Sequence, residues 1–170
     1  MITQIGSWAS SGYPYKKMAS NWRQSVVDEC KTWLGTPYVH KGRVRGVGVD
    51  CGGLLYEVYG RFFGPLKPYP KDYPPDWTLH KENEIYLDFL EGYVFPVSKP
   101  AVGGITMWKF GRNFAHGTIY IGDNTWIHAF GRNGSGVVQK SRRSFFTAER
   151  GRLRDHRHFD LDETWLLPHH

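Results

Sequence analysis

One cysteine and two histidines stand out for their chemistry in this chain of 170 residues. Cys51 lies in Gly48-Val49-Asp50-Cys51-Gly52-Gly53, directly before Leu54, Leu55, Val58, Tyr59 and Phe62, whose spacing spells one helical stripe. Cys51 is therefore expected in the first turn of a helix, with Asp50 at or near the N-cap. A thiol attacks only as thiolate, and a helix N-terminus stabilises that negative charge. Gly46, Gly48, Gly52 and Gly53 let backbone approach closely and leave N–H groups around the sulfur. Asp50 opposes thiolate formation, so a cationic partner has to outweigh it.

His116 and His128 supply that partner. They stand in His-Gly-Thr-Ile-Tyr-Ile-Gly and Trp-Ile-His-Ala, on either side of Gly122-Asp123-Asn124, which has the turn chemistry of a hairpin. Opposed residues on antiparallel strands are about 5 Å apart. One imidazole can deprotonate the thiol while the other holds it in the right tautomer. Cys51, His116 and His128 are also a zinc set by type, and His156-Arg157-His158 adds two more ligands. None has the close paired spacing of zinc ligands, so metal chemistry ranks second and no cofactor is expected.

These residues need a scaffold of helices followed by strands. Asn21 and Gln24 have the spacing of a capping box, and Trp22, Val26, Val27, Cys30, Trp33 and Leu34 then share one helical face, stopped by Gly35 and Pro37. Cys30 on that stripe reads as a buried core thiol. Residues 35–49 read as a glycine-rich loop carrying Lys41, Arg43 and Arg45. After the Cys51 helix, residues 64–78 read as a proline- and aromatic-rich loop, and a third, acidic helix is expected from about Leu79 to Leu90. Short β-type runs follow at Tyr93–Val97, Ile105–Phe110, His116–Ile121, Thr125–Phe130 and Gly136–Lys140, with Thr164–Leu167 as a closing strand. Helices first and antiparallel strands second predict an α+β fold. The domain is expected over 21–170, after an N-terminal arm at 1–20.

Composition narrows the function. Apolar residues make up 40%, aromatics 16% and charged residues 22%, which excludes intrinsic disorder. There is no run of eighteen apolar residues and no basic, apolar leader, so neither a transmembrane helix nor a secretory signal is expected. The net charge of +6 is uneven: residues 140–158 hold seven Lys/Arg against two acids, and residues 71–91 hold six acids against two Lys. No nucleic-acid motif accompanies the basic stretch, which reads instead as a solvated face or a surface meeting another polyanion such as a bacterial wall.

The blocks Trp33-Leu-Gly-Thr-Pro-Tyr38, Gly48-Val-Asp-Cys-Gly-Gly-Leu54, His116-Gly-Thr-Ile-Tyr-Ile-Gly122 and Trp126-Ile-His-Ala129 together resemble the NlpC-type cysteine peptidases. The resemblance covers about residues 20–63 and 101–140. It implies a papain-like fold and cleavage of bacterial-wall stem peptides, typically between D-γ-glutamate and the following diamino acid. By position, Cys51 resembles the nucleophile, His116 the base and His128 the third member. Tyr38 resembles a tyrosine that lines the substrate site and assists the oxyanion, and Asp50 the acid that receives the substrate's free amine. The basic loop before Asp50-Cys51 is most similar to the version in phage tails and gene-transfer-agent particles.

Three departures stand beside that likeness. Gly52 replaces a Ser that touches substrate in many relatives. Gly103-Gly104-Ile105 replaces a usual Gly-Asp pair, which removes a supporting hydrogen bond. Residues 64–100 have no counterpart in the family core and are expected to form a lid or a docking surface. The resemblance implies attack by Cys51 on the scissile carbonyl, an oxyanion held by the Cys51 N–H, and His116 as acid then base. A Cys30–Cys51 disulfide would consume the nucleophile and is not expected. The expected setting is a phage-like tail with other tail-tip proteins as partners, made in the bacterial cytoplasm and acting in the periplasm. A structural tail component with a dormant peptidase fold, or an endolysin-like lysis enzyme, are the alternatives.

Overall fold

Asn21 caps the first helix, its side chain accepting from the Gln24 N–H at 3.4 Å. A computed structural model describes residues 21–64, 66–70, 73, 84–110, 113–131, 136–141 and 155–166. Helix α1 runs Trp22–Lys31, and Gln24 turns forward to Asp28 (2.8 Å) rather than back to the cap, so the capping box closes from one side only. Its buried stripe holds Trp22, Val26 and Cys30, as the periodicity requires. Helix α2 runs Cys51–Tyr59 and α3 runs Ile85–Leu90. Of the acidic helix expected from about Leu79 to Leu90, Ile85–Leu90 is helical, and residues 79–83 lie outside the described residues.

The loop between α1 and α2 contains a small hairpin, β1 (Arg43–Val44) with β2 (Gly48–Val49), turned through Gly46 at φ +77°. Its cations are spent on the helices: Arg43 Nε donates to Glu57 at 2.7 Å, and Arg45 reaches Thr32 Oγ1 at 2.6 Å and Glu29 at 3.5 Å. The basic loop is therefore a clamp across α1 and α2, not a free charged patch.

Strands β3 (Val94–Val97), β4 (Ile105–Phe110), β5 (Asn113–Gly122), β6 (Thr125–Phe130), β7 (Gly136–Ser141) and β8 (His156–Leu161) form one antiparallel sheet in the order β3-β8-β4-β5-β6-β7. The closing strand is β8, not Thr164–Leu167. Glu163–Trp165 forms a turn of 3-10 helix instead, and only Leu166 bridges, to Phe63. β8 inserts between β3 and β4 because Phe159 and Leu161 alternate with His158 and Asp160, the two-residue period of a strand. The β5–β6 turn is Asp123-Asn124, both at positive φ (48° and 52°), the left-handed pair that a tight hairpin demands.

The helices pack on one sheet face. Val26, Cys30 and Trp33 of the α1 region meet Leu54, Leu55 and Val58 of α2 and Ile105, Met107, Ile119, Ile127 and Ala129 of the sheet. Each fully buried aliphatic side chain there contributes about 1.5–3 kcal/mol. On alternate positions Trp108 donates to Thr118 Oγ1 (3.1 Å) and Trp126 to Thr106 Oγ1 (2.9 Å), so both buried indoles are satisfied. Arg23 of α1 forks onto Asp160 of β8 with two 2.8 Å bonds, tying the first helix to the sheet. Among the described residues no helix is long and apolar enough to cross a membrane.

Candidate active site

The sequence places Cys51 at a helix start, and the structure does the same. Asp50 is the N-cap of α2, its Oδ1 accepting from the Gly53 N–H at 2.7 Å. Gly53 has to be glycine, since a Cβ there would stand 2.3 Å from the Gly42 carbonyl oxygen. That close approach seats the helix N-terminus on the basic loop. Both cysteines are free thiols, Cys30 buried in the core and Cys51 at the cavity.

Strand β5 meets the thiol through a bulge. Trp108 pairs with His116 but Lys109 pairs with Phe114, so β5 gains an extra residue at Ala115. A bulge re-aims the side chains around it. Here the Cys51 Sγ donates to the Ala115 carbonyl at 3.8 Å, and the Gly117 N–H favours its anion. Nothing in the sequence signalled this bulge.

The two histidines meet as expected. His116 Nε2 and His128 Nδ1 are 2.8 Å apart, with ring centroids at 5.0 Å and planes near perpendicular. Both are buried, and Phe130 packs edge-on against His116 at 5.6 Å. With Nε2 bonded to His128, base chemistry at His116 would run through Nδ1, with the Nε2 proton donated to His128 Nδ1.

Burial acts on both groups. The Cys51 thiol is pushed up to about 12, first by desolvation and then by Asp50; N–H groups of Gly117 and Gly52 and the Tyr86 side chain pull the other way without winning. Desolvation lowers His116 to about 4. Burial thus works against both charged forms, while the helix N-terminus and the neighbouring N–H groups work for the thiolate. Among the described residues no group of three or more His, Cys, Asp or Glu could hold a metal. His158 instead bonds Thr106 Oγ1 at 2.9 Å, and His156 packs on Trp108.

Cys51, His116, Tyr38 and Asp50 line one cavity of about 450 Å³. The NlpC/P60 family model matches residues 35–152, which spans all of them. The chain belongs to the NlpC/P60 family. It is thus a papain-like cysteine peptidase of a peptidoglycan-hydrolase family, with N-terminal helices packed on a six-stranded antiparallel sheet. The NlpC/p60 domain of the peptidoglycan hydrolase SagA is 28% identical over 72% of this chain and 92% of that one, with a TM-score of 0.48. An NlpC/P60 protein from Bacillus cereus is 19% identical over 81% of this chain and 39% of its own, TM-score 0.51. NlpC1 from Trichomonas vaginalis is 18% identical over 93% and 48%, TM-score 0.52. The chain spans under half the length of these last two. A comparison with curated protein sequences gives no significant match.

The departures from the NlpC/P60 pattern have local causes. At Gly104 a Cβ would stand 2.8 Å from the Phe159 carbonyl oxygen, so β8 leaves no room for an Asp side chain. At Gly52 a Cβ would stand 2.8 Å from the Tyr69 hydroxyl and 3.3 Å from that of Tyr86. Both tyrosines come from the segment between α2 and β3, as does Tyr73, and all three line the cavity. The sequence reading missed them. For Tyr69 and Tyr73 the signal was the density of tyrosine in a stretch with no helix or strand period, and Tyr86 lies on the expected acidic helix.

Tyr38 bridges to Val49 and packs its ring on Gly131, beside Cys51 and Asp50. Desolvation first, then the neighbouring Cys51 and Asp50, raises its phenol, which keeps it a proton donor.

Proposed function

We propose that this NlpC/P60 peptidase cleaves bacterial-wall stem peptides between D-γ-glutamate and the following diamino acid. Cys51 is the nucleophile, His116 the base through Nδ1, and His128 the positioning residue that accepts from Nε2. The observation that carries this assignment is the 2.8 Å His116–His128 bond, next to a cysteine capped at a helix start. As Sγ bonds the scissile carbonyl carbon, its proton passes to His116. The oxyanion is met by the Cys51 N–H, one of the first amides of α2 with no intrahelical partner, and by the Tyr38 phenol. His116 then gives its proton to the leaving amine, and water, deprotonated by His116, releases the thioester. Tyr38, Asp50 and Gly52 form the substrate-side wall.

The delivery we propose is a phage-like or gene-transfer-agent tail, with tail-tip proteins as partners, synthesis in the bacterial cytoplasm and action in the periplasm. The support is the loop of Lys41, Arg43 and Arg45 before Asp50-Cys51, in the form most similar to tail-borne relatives. Mass spectrometry of muropeptides incubated with the wild type and with Cys51→Ala tests the chemistry. New free diaminopimelate or lysine N-termini with the wild type alone support it, and an unchanged muropeptide profile refutes it. Detection of the protein in purified particles tests the delivery.

A further inference from the structure

Asp50 carries more than its helix cap. Oδ1 accepts from the Gly53 N–H (2.7 Å) and the Tyr69 hydroxyl (3.0 Å); Oδ2 accepts from the Lys41 N–H (2.8 Å) and the Tyr73 hydroxyl (2.5 Å). The two phenol oxygens also bond each other at 2.6 Å, so two protons serve three contacts, and the carboxylate receives both N–H groups and at least one phenol proton. The residue is 2% exposed. His40 also faces it, with Nδ1 3.9 Å from Oδ2.

The two phenols are held firmly. Their oxygens are 2.6 Å apart, and burial first, then Asp50, keeps both protonated. Arg43 stacks 5.1 Å from the Tyr69 ring and 4.3 Å from Tyr56, and Lys41 Nζ stands 5.5 Å from the Tyr73 ring. Arg43 is in turn paired with Glu57. Glu57 is thus paired with Arg43, and the Lys41 ammonium stands over Tyr73, before any substrate arrives. An entering ammonium meets a carboxylate that is 2% exposed behind two phenols, with two cations already beside their rings. What lines the cavity instead is the two phenols, whose oxygen lone pairs can accept an uncharged N–H.

We propose that Tyr69 and Tyr73 are specificity-determining residues that turn the Asp50 subsite from an ammonium receptor into a receptor for an acylated N-terminus. The substrate class is then stem peptide still joined by its first amide to muramic acid, not the free peptide. This rests on the stem-peptide hydrolase reading above, and it replaces the direct ammonium contact that the family resemblance implies for Asp50.

The probes are L-Ala-γ-D-Glu-diaminopimelate with a free amine and the same peptide N-acetylated or N-lactoylated. Wild type is assayed for kcat/KM, and Cys51→Ala for binding by calorimetry. The expected result is a preference for the acylated peptides of about tenfold or more, the scale of one charge-assisted hydrogen bond. Tyr69→Phe/Tyr73→Phe should free Asp50 and move that ratio about tenfold toward the free amine. A wild type that favours the free amine overturns the proposal, whether or not the double variant folds. So does a double variant that speeds both peptides equally, which would make the tyrosines a lid. If no stem peptide is cleaved or bound, the hydrolase reading itself has failed.

Discussion

His116 Nε2 lies 2.8 Å from His128 Nδ1, across one hairpin and inside the sheet. The strand register explains the contact. Ile119 pairs with Ile127, and continuing that register puts Thr118 opposite His128, so His116 is one diagonal step away. Diagonal neighbours are within reach of aromatic side chains. The third member of the site is thus built by the hairpin, its alignment set by the Asp123-Asn124 turn together with the register shift between Tyr120 and Gly122.

Loss of that bond should slow catalysis without unfolding the protein. His128→Ala leaves the His116 tautomer unspecified and should lower kcat about 10²-fold, within the range general-base catalysis supplies. His128→Gln keeps an acceptor for the Nε2 proton and should retain more activity than the alanine variant. Steady-state kinetics should show the loss in kcat with KM little changed. Equal activity of the two variants would mean that His128 acts by packing alone.

The depressed His116 couples the site to pH. Its folded value, about 4, lies below the unfolded value near 6.5, so the folded state disfavours its proton. The stability this adds is fully present above pH 6.5 and is lost as pH falls toward 4, because the unfolded chain binds the proton first. The span is up to about 3 kcal/mol, taking 1.36 kcal/mol per unit. Melting temperature should therefore fall between pH 6.5 and 4 more steeply in wild type than in His116→Gln. In the free enzyme the thiol at about 12 should also react slowly with iodoacetamide at pH 7, gaining rate only as pH rises.

The order of elements was legible because each rests on a local signal. Asn21, Asp50 and the Asp123-Asn124 turn all do what their types predict. Strand β8 was hidden because His156, Arg157 and His158 read as basic surface, and only Phe159 and Leu161 carry the strand period. The 115–117 bulge and the Tyr69–Tyr73–Asp50 cluster depend on contacts between distant segments, which no local window contains. The place of Cys51 at a helix start was legible, but the burial that raises its thiol was not, because the aromatic residues lining its cavity come from segments distant in sequence.

The Arg23–Asp160 fork should be the largest single polar contribution to holding α1 on the sheet. The carboxylate side chain is 12% exposed and the guanidinium 32%, so the pair sits between a surface bridge and a buried one. Discounted for that exposure, Asp160→Ala should cost roughly 1–3 kcal/mol. Arg23→Lys cannot make both bonds and should recover only part of the stability. Urea unfolding midpoints at constant m would measure both. A loss under 0.5 kcal/mol for Asp160→Ala would show that α1 is held by its apolar stripe alone.

Gly52 and Tyr69 should be energetically coupled. The Cβ added by Gly52→Ala would stand 2.8 Å from the Tyr69 hydroxyl, closer than real Cβ contacts come. That hydroxyl cannot simply swing aside, because it is bonded to Asp50 at 3.0 Å and to Tyr73 at 2.6 Å. Gly52→Ala alone should therefore cost roughly 1–3 kcal/mol through overpacking. Tyr69→Phe removes the contacted atom but takes one donor from a buried carboxylate, which should cost about 1–3 kcal/mol by itself. If the contact is what makes Gly52 necessary, the alanine should cost much less in the Tyr69→Phe background, and the double-mutant cycle should show a coupling of at least about 1 kcal/mol. Tyr86, with its hydroxyl 3.3 Å from the same point, should show weaker coupling in the parallel cycle with Tyr86→Phe. Additive costs for Gly52→Ala and Tyr69→Phe would place the need for glycine in the helix backbone and not in the tyrosine wall.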